Sequence, residues 1–424
     1  MTMGFKQFVA LIAALMATNA LAIDSMLPAL PTIARDLGIP AGNQQQWIVT
    51  AYLLGFGGAQ IIYGTLADRF GRKRVLLIGL AIYVVASLAA AGSTTLSMLL
   101  AARLVQGVGS AASRVLAVSI VRDCYSGPTM ARVMSLSFIV FLAVPILAPS
   151  IGQLIMLVGP WRWIFGGLAL FVFLVSVWTF IKLPETLHPE DRLPISVKAV
   201  TSSFRASLTN RVAVCYMLAM TALMGALFGF INSAQQIFVD VFKVPGLFAA
   251  IFASVAFFMA VASFLNSRVV ERYGPRRVSH VALIGFLVSG SLHALLAMSG
   301  YETLLTFAVF QAGIMFFFGL CAPNFGSLAM GPLGHVAGTA SSVQGFVTTV
   351  GGSLLGFFIG QHFNGTTVPL TVGYMVLAAV SLGMVLVAEH GHLFGKLASA
   401  SVPQATTPGV EPGGAAARSA QSAA

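Results

Sequence analysis

Residues 64–74 read GTLADRFGRKR, and residues 267–277 hold a degenerate copy, SRVVERYGPRR. Each copy closes an apolar segment and begins a polar loop. In both copies an acid, Asp68 or Glu271, is followed by an arginine, an aromatic residue, a glycine and then a basic pair. A motif that recurs in the same kind of loop indicates an internal duplication whose two halves run parallel.

Twelve segments on either side of these loops are apolar and long enough, at about 20 residues, to cross a bilayer as helices. They lie at residues 5–28, 46–66, 75–92, 98–120, 133–158, 163–182, 212–238, 246–267, 278–299, 303–326, 339–361 and 369–388. We expect span one to be a retained helix rather than a cleaved signal peptide, because its apolar run is long for a signal peptide. The alternating pattern of a membrane β-barrel is absent. The sequence therefore predicts an all-α membrane protein of twelve transmembrane helices in two six-helix bundles.

The composition agrees with a membrane protein. Of 424 residues, 58% are hydrophobic and only 8% are charged, whereas about 25% are charged in a typical soluble domain. With the N-terminus inside, 18 of the 23 Lys and Arg residues fall in cytoplasmic loops and tails, as the positive-inside rule requires. This distribution accounts for the net charge of +11 without a nucleic-acid partner. It predicts a multi-pass inner-membrane protein with both termini in the cytoplasm.

The chain divides into four predicted regions. Residues 1–182 form the first bundle, 183–211 a polar cytoplasmic linker, 212–395 the second bundle and 396–424 a disordered tail rich in small and polar residues. Because twelve helices complete such a fold, we expect a monomer.

Apart from Lys6 and Lys182 at the cytoplasmic ends of their spans, three charged residues fall inside the predicted spans, Asp24 in span one and Arg103 and Arg114 in span four. A charge within a membrane helix is costly, on the order of 2.5–3.5 kcal/mol at the centre, and usually faces a cavity or a partner. A carboxylate in such a place can bind and release a proton as the cavity opens to either side, so Asp24 is the predicted proton carrier. The alternative is a carboxylate that merely reaches the interface.

The two arginines lie three helical turns apart and therefore share one face of span four. An arginine stays charged, so each can serve as a fixed cation that acts on Asp24, meets an anionic substrate group or ties helices together. We expect Arg103 to take part in proton coupling. For Arg114 a tentative role in substrate binding competes with simple anchoring of the helix near its cytoplasmic end.

A cavity for lipophilic compounds needs aromatic side chains and a few amides. The candidate substrate-binding residues, besides Arg114, are Phe228, Asn232, Gln236, Phe258 and Asn324. In span five, Pro145 and Pro149 precede Gly152; each proline removes a backbone hydrogen bond, so this helix is a candidate hinge.

Zinc, Walker and nucleophile-elbow motifs are missing. We therefore predict no enzyme, no cofactor and no metal site, and transport driven by an ion gradient.

Residues 64–73 resemble the loop signature of the major facilitator superfamily, Gly-x-Leu-Ala-Asp-Arg-x-Gly-Arg-Lys, at every specified position. The resemblance implies that fold over residues 5–390. It also implies a cytoplasmic gate that includes Asp68 and its copy Glu271. The gate motif comprises Gly64, Asp68, Arg69, Gly71, Arg72, Lys73, Glu271 and Arg272.

Other motifs are similar to those of drug:proton antiporters of the Bcr/CflA type. They are DSMLPALP at residues 24–31, RLVQG at 103–107, Arg122-Asp123 and LPETL at 183–187. The resemblance ties Arg103 to proton coupling. In the antiporter motif of helix five, Pro149 and Gly152 are kept, whereas Val144, Ala148 and Gln153 stand where that motif has glycine.

These features predict a proton-driven exporter of small lipophilic or cationic compounds that works in the lipid bilayer by alternating access. The alternatives are a proton-coupled transporter of one metabolite and a membrane receptor that does not transport.

Overall fold

The structure is a computed structural model that describes residues 3–40, 42–192 and 197–394. The described chain holds twelve helices long and apolar enough to cross a membrane. They are α1 (Phe5–Asp24), α2 (Trp47–Phe70), α3 (Arg72–Ala91), α4 (Leu96–Cys124), α5 (Gly127–Val158), α6 (Arg162–Lys182), α7 (Arg211–Gln236), α8 (Phe248–Tyr273), α9 (Pro275–Ser299), α10 (Leu304–Met330), α11 (Ala337–Gln361) and α12 (Val368–Ala388). The predicted number of spans is confirmed.

Span one is longer than predicted. Helix α1 stops at Asp24, and the chain continues through a 3-10 turn, Leu27–Ala29, and a short helix, Leu30–Asp36. Two prolines cause this break, because Pro28 and Pro31 cannot donate a backbone hydrogen bond to a continuous helix. Asp24 therefore lies at a helix end within the membrane span.

The packing of helices repeats between the two halves. In the first half α1 packs on α5, α2 on α4 and α3 on α6; in the second, α7 packs on α11, α8 on α10 and α9 on α12. Each pair differs from its counterpart by six helices, as the parallel duplication in the sequence predicts. The halves meet where α2 packs on α11 and α5 on α8.

The predicted linker contains a helix, Val197–Thr209, that packs on α7 and α11. The sequence interpretation missed this helix because it read the whole stretch as polar. The predicted boundaries of the four regions stay predictions, and the predicted tail, residues 396–424, lies outside the described residues.

The two ends of the helix bundle hold different parts of the chain. The motif end holds residues 64–74, the linker and the start of α1, where Phe5 contacts Tyr125 after the end of α4. The far end holds the start of α2 and the end of α7.

Candidate functional site: the cavity between the halves

A cavity of about 470 Å³ lies between the two halves of the bundle, a volume in the range of small-molecule sites. The first half contributes Asn19, Ala20, Ile23 and Asp24 from α1, Arg114 from α4, and Phe138, Leu142 and Pro145 from α5. The second half contributes residues of α7, α8 and α10. We call this space the central cavity.

Asp24 and Arg114 are the charged residues on the wall of this cavity, within the described part of the chain. Asp24 is only 5% exposed. Neither side chain forms a hydrogen bond or ion pair with any residue whose side chain the structure describes. The structure thus brings two of the three predicted intramembrane charges to one cavity and leaves both open to a ligand.

The wall from the second half is almost entirely apolar. It includes Phe228 and Phe230 of α7, Phe252 of α8 and Phe318 of α10, together with methionines 220, 224, 259 and 315. Aromatic rings give apolar area with defined geometry, and methionine adapts to different shapes. Charge therefore comes from the first half and adaptable apolar surface from the second.

Arg103 lies elsewhere. Its side chain is fully buried inside the first half, where its guanidinium carbon is 4.4 Å from the centre of the Tyr52 ring and 5.7 Å from that of Phe165. Nε donates to the carbonyl of Ile48 (3.2 Å), and Nη1 donates to Oε1 of Gln106 (2.6 Å). Arg103 and Arg114 lie on the same face of α4 but have different surroundings. Different helices pack beside α4 at the level of each arginine.

A short chain of contacts nevertheless joins Arg103 to the cavity. Tyr52, which stacks against Arg103, donates its hydroxyl to Oδ1 of Asn19 (2.9 Å) and also lies 2.8 Å from Oγ of Ser110. Asn19 is part of the cavity wall, five residues before Asp24. Sequence reasoning missed Asn19, although a lone amide in an apolar span is a signal that could have found it.

Helix α5 carries the residues of the predicted antiporter motif. Pro145 and Pro149 lie inside one continuous helix, and Pro145 lines the central cavity. Gly152 lies against the backbone of Ser25, where any Cβ would overlap the Ser25 carbonyl. The glycine that this chain keeps therefore lets α5 approach α1 beside Asp24.

At the motif end, Arg72 is the centre of an ion-pair network. Nη1 lies 2.5 Å from Oδ1 of Asp68, and Nε lies 3.0 Å from Oδ2 of Asp123 at the end of α4. Arg72 is buried, so the two acids balance its charge. This network joins α2, α3 and α4 within the first half.

The carboxylate of Glu185, just after α6, accepts from the backbone N–H groups of Arg72 (2.8 Å) and Lys73 (3.2 Å). These groups begin α3, and an acid at a helix N-terminus satisfies free donors and the helix dipole. Gly71 makes this possible: its φ of +97° suits glycine, and a Cβ there would meet the Glu185 carboxylate. The Lys73 ammonium donates to the carbonyl of Phe180 (2.8 Å), while Arg69 is exposed.

The second copy of the motif has different partners. Gly274 keeps the positive φ, at +80°, but Glu271 and Arg272 are exposed. Instead, Nε of Arg276 lies 3.0 Å from Oε1 of Glu389, just after α12, and the Tyr216 hydroxyl donates to the same carboxylate (2.7 Å). In each half, therefore, an acidic residue that follows the sixth helix binds the start of the third helix.

A second cavity, of about 640 Å³, opens between the halves at the motif end. Gln60, Gly64, Asp68, Arg72, Arg114 and Arg122 line it from the first half, and residues 338–348 from the second. We call it the motif-end cavity. Arg114 lines both cavities and lies between them.

The far end is closed by uncharged amides that bond across the two halves. Gln46 donates to Oε1 of Gln236 (2.6 Å) and to the carbonyl of Gly360 (2.9 Å). Asn43 donates to the carbonyl of Gln361 (2.8 Å) and accepts from Gln236 (2.9 Å). Gln45 donates to Oε1 of Gln235 (3.3 Å). We call residues 43, 45, 46, 235, 236 and 361 the amide cluster. The structure is thus sealed at the far end and open between the halves at the motif end.

Of the candidate substrate-binding residues, the structure places Phe228 and Arg114 on the central cavity and the other four elsewhere. Gln236 belongs to the amide cluster because it lies at the far end of α7. Asn324 donates to Asn266 (2.7 Å), so its amide joins α10 to α8. Phe258 is 45% exposed, on a face of α8 that turns away from Phe252. Asn232 is buried, and neither its amide nitrogen nor its oxygen has a partner among the described residues.

Metal binding finds no support in the described part of the chain, where no group of three or more His, Cys, Asp or Glu residues could hold an ion. The three cysteines, Cys124, Cys215 and Cys321, are free.

Known proteins resemble this chain over most of its length. The family model of the Major Facilitator Superfamily matches residues 11–356. A bicyclomycin resistance protein homolog of Haemophilus influenzae is 29% identical over 364 residues, which are 84% of this chain and 90% of the relative. The multidrug resistance protein MdtL of Klebsiella pneumoniae is 32% identical over 371 residues, 86% of this chain and 91% of the relative.

Two solved structures share the fold at low identity. The human organic anion transporter MFSD10 (TETRAN) has a TM-score of 0.66 and 17% identity, over 90% of this chain and 99% of that one. The xylose transporter XylE from E. coli has a TM-score of 0.69 and 12% identity, over 92% and 99%. Together with the family match, these likenesses agree with a multi-pass membrane transporter rather than an enzyme. The chain belongs to the major facilitator superfamily, in the Bcr/CflA group that its motifs resemble.

Proposed function

We propose that the protein exports drugs or other lipophilic compounds across the inner membrane in exchange for protons, by alternating access. One observation carries the proposal: a carboxylate without a partner among the described residues, Asp24, lines an apolar cavity between the two halves. The names of the relatives, a bicyclomycin resistance protein homolog and a multidrug resistance protein, support the substrate class.

The motif end is the cytoplasmic end in this proposal. The Lys and Arg residues of the chain concentrate in the loops and linker at that end, as they do in cytoplasmic loops. Both termini then lie in the cytoplasm. The described conformation, sealed by the amide cluster and open at the motif end, is ready to receive substrate from inside.

Asp24 couples the two fluxes because it binds one partner at a time. As a carboxylate it attracts the cationic or hydrogen-bond-donating part of a substrate; once protonated from outside, it releases that substrate. Burial favours the neutral form of a carboxyl group, which makes proton uptake feasible. Each proton that enters supplies about 2.3 kcal/mol per 100 mV of membrane potential and roughly 1.4 kcal/mol per pH unit.

Arg103 is a positioning residue in this scheme. It holds Tyr52 and Gln106, and Tyr52 holds Asn19 on the cavity wall next to Asp24. Its role in coupling is therefore to keep the helix α1 wall in place rather than to touch substrate.

The residues of the gate motif control the cytoplasmic opening. When the motif-end cavity closes, α2 and α11 approach each other there, and Asp68 comes toward the N-terminus of α11, where an acid is favoured. The amide cluster at the far end must open in the same step. Because one chain supplies both sides of the central cavity, we expect a monomer to be sufficient.

The test compares Asp24→Asn with Asp240→Asn, which removes an exposed acid outside the central cavity. Both variants are purified and placed in proteoliposomes with an imposed pH gradient, and dye accumulation and proton flux are recorded. We expect Asp24→Asn to fold and insert but to lose proton-driven dye transport, while Asp240→Asn pumps normally. Uphill pumping by Asp24→Asn would falsify the assignment.

A panel of unrelated lipophilic compounds, applied to cells that overexpress the protein, separates this function from transport of a single metabolite. An exporter of drugs lowers the accumulation of several compounds, and the effect disappears in Asp24→Asn cells. Protection against one compound alone would support the metabolite transporter instead.

A further inference from the structure

We propose that the central cavity selects dipolar substrates, which carry a cationic or donor group at one end and an anionic or acceptor group at the other. Asp24 binds the first group, and Arg114 is the specificity-determining residue that binds the second. This inference rests on the proposed export function and adds the class of compound to it.

The positions of the two charges along the bundle follow from one hydrogen-bonded residue. Tyr52 bonds to Asn19 of α1 and to Ser110 of α4, so these two residues lie at the same level. Asp24 is five residues from Asn19 toward the far end, and Arg114 is four residues from Ser110 toward the motif end. At 1.5 Å per residue the two backbone positions are on the order of 13 Å apart. Since both Cβ atoms point toward the helix N-termini, and so toward each other, the charges approach to roughly 10 Å.

This separation keeps the acid and the base independent. No ion pair joins Asp24 to Arg114, and neither has another partner among the residues whose side chains are described. A substrate that satisfies only one of them leaves the other charge exposed to a cavity wall of low polarity, where an unpaired charge is unfavourable. A dipolar substrate satisfies both.

The apolar wall that the second half contributes to the cavity suits the apolar middle of such a molecule. Phe228, Phe252 and Phe318 come from three different helices of the second half and line the same cavity. They offer aromatic surface for a flat ring system. The separation of the two charges and the apolar wall of the cavity therefore favour an aromatic core with polar groups at its two ends.

The route from the motif end also favours an anionic group. Arg72 there is balanced by Asp68 and Asp123, whereas Arg114 and Arg122 add positive charge to the motif-end cavity. An anionic group entering from this side is drawn inward toward Arg114. A simple lipophilic cation meets two arginines before it reaches Asp24.

Dipolar binding is compatible with proton exchange. If substrate and Asp24 competed for Arg114, an anionic substrate would favour a protonated Asp24, and substrate and proton would travel together. With the charges separated, the cationic end of the substrate competes with the proton for Asp24, while Arg114 holds the other end throughout. Protonation then releases the substrate, as antiport requires.

The experiment uses a matched pair of fluorescent probes, the zwitterion ciprofloxacin and its methyl ester, which lacks the carboxylate. Efflux of each is measured in proteoliposomes for the parent protein, Arg114→Gln, Arg114→Lys and Arg122→Gln. Arg122→Gln is the control, because Arg122 lies on the same helix but lines only the motif-end cavity. We expect Arg114→Gln to raise the KM for ciprofloxacin at least about tenfold, as the loss of a charged hydrogen bond does, and to leave the ester unchanged.

The remaining variants make the result specific. Arg114→Lys should recover most of the affinity for ciprofloxacin. Arg122→Gln removes a charge from the entry route but not from the central cavity, so it should raise the KM for ciprofloxacin much less than Arg114→Gln does. Transport of both probes by Arg114→Gln at the rates of the parent protein, or the same fold loss for both probes, would overturn the role of Arg114 in selection while leaving proton-driven export intact. Failure of the parent protein to pump either probe or any compound of the panel would instead overturn the export function.

Discussion

Arg103 and Arg114 have the same chemistry and lie on the same face of α4, yet they do different things. Arg103 is enclosed by Tyr52 and Phe165 and donates to Ile48 and Gln106, so its hydrogen bonds hold helices together. One of its nitrogens, Nη2, remains buried without a partner among the described residues. Arg114 has no such partners among the residues whose side chains are described, and it lines two cavities. The difference arises from what packs beside α4 at each level.

The sequence could identify both arginines and Asp24 as costly charges in apolar helices, and so as candidates for function. It could not rank the arginines, because spacing along a helix defines a face but not which neighbour covers that face. The same limit explains why Phe258 and Asn324 were predicted to bind substrate. Their residue types suit a cavity, but their positions on α8 and α10 do not place them on the central cavity.

A substitution of Gly152 tests the close approach of α5 to the backbone of Ser25, beside Asp24. Changing Gly152 to alanine places a methyl group against the Ser25 carbonyl, and overpacking of this kind costs about 1–3 kcal/mol. We expect a lower unfolding temperature in detergent and loss of active efflux. The control is Gly166→Ala in α6, where a Cβ would meet nothing within 4 Å. An unfolding temperature equal to that of the parent would show that α5 does not need this close approach.

The turn between α2 and α3 shows how an element acquires its end. Gly71 allows the backbone to reverse, and the Glu185 carboxylate, from the loop after α6, accepts from the first N–H groups of α3. The repeat in the sequence predicts this turn in both halves. It does not predict that Glu389 binds the side chain of Arg276 in the second half, because that contact joins residues far apart in the chain.

Removing the Glu185 carboxylate therefore weakens the start of α3. We expect Glu185→Ala to lower the stability of the protein by about 1 kcal/mol, the usual effect of losing a helix cap. Thermal unfolding in detergent measures the change, and added salt should affect the parent more than the variant. Glu190→Ala, which changes an exposed acid of the same linker, serves as the control. If both variants unfold at the same temperature as the parent, Glu185 has no capping role.

For the molecule as a whole, the important contacts are those between the halves. Among the described residues, amides rather than ion pairs join the two halves at the far end. A neutral hydrogen bond contributes only about 0.5–1.5 kcal/mol because water can replace it. A seal of this kind can open and close in each transport cycle. The ion pairs of Arg72, in contrast, lie within the first half and can persist while the halves move.

The amide cluster can be locked to test this movement. Replacing Gln46 and Gln236 by cysteine places two thiols where amide groups now meet at 2.6 Å. A short, reducible thiol cross-linker should abolish active efflux, and a reductant should restore it. The parent protein, with its three native cysteines, treated in the same way controls for their reaction. Undiminished efflux after complete cross-linking would mean that the far end does not open.

Composition, periodicity and local motifs are enough to predict the membrane setting, the number of helices, the duplication and the family. The position of Asp24 in an apolar span also predicts that it is the proton carrier. Packing in three dimensions is needed to place Asp24 on the same cavity as Arg114 rather than Arg103, and to give that cavity an apolar wall from the second half. The same packing brings the amides of residues 43, 45 and 46 to residues 235, 236 and 361. Those facts depend on how helix faces converge across the two halves, and such convergence is set by packing between residues far apart in the chain.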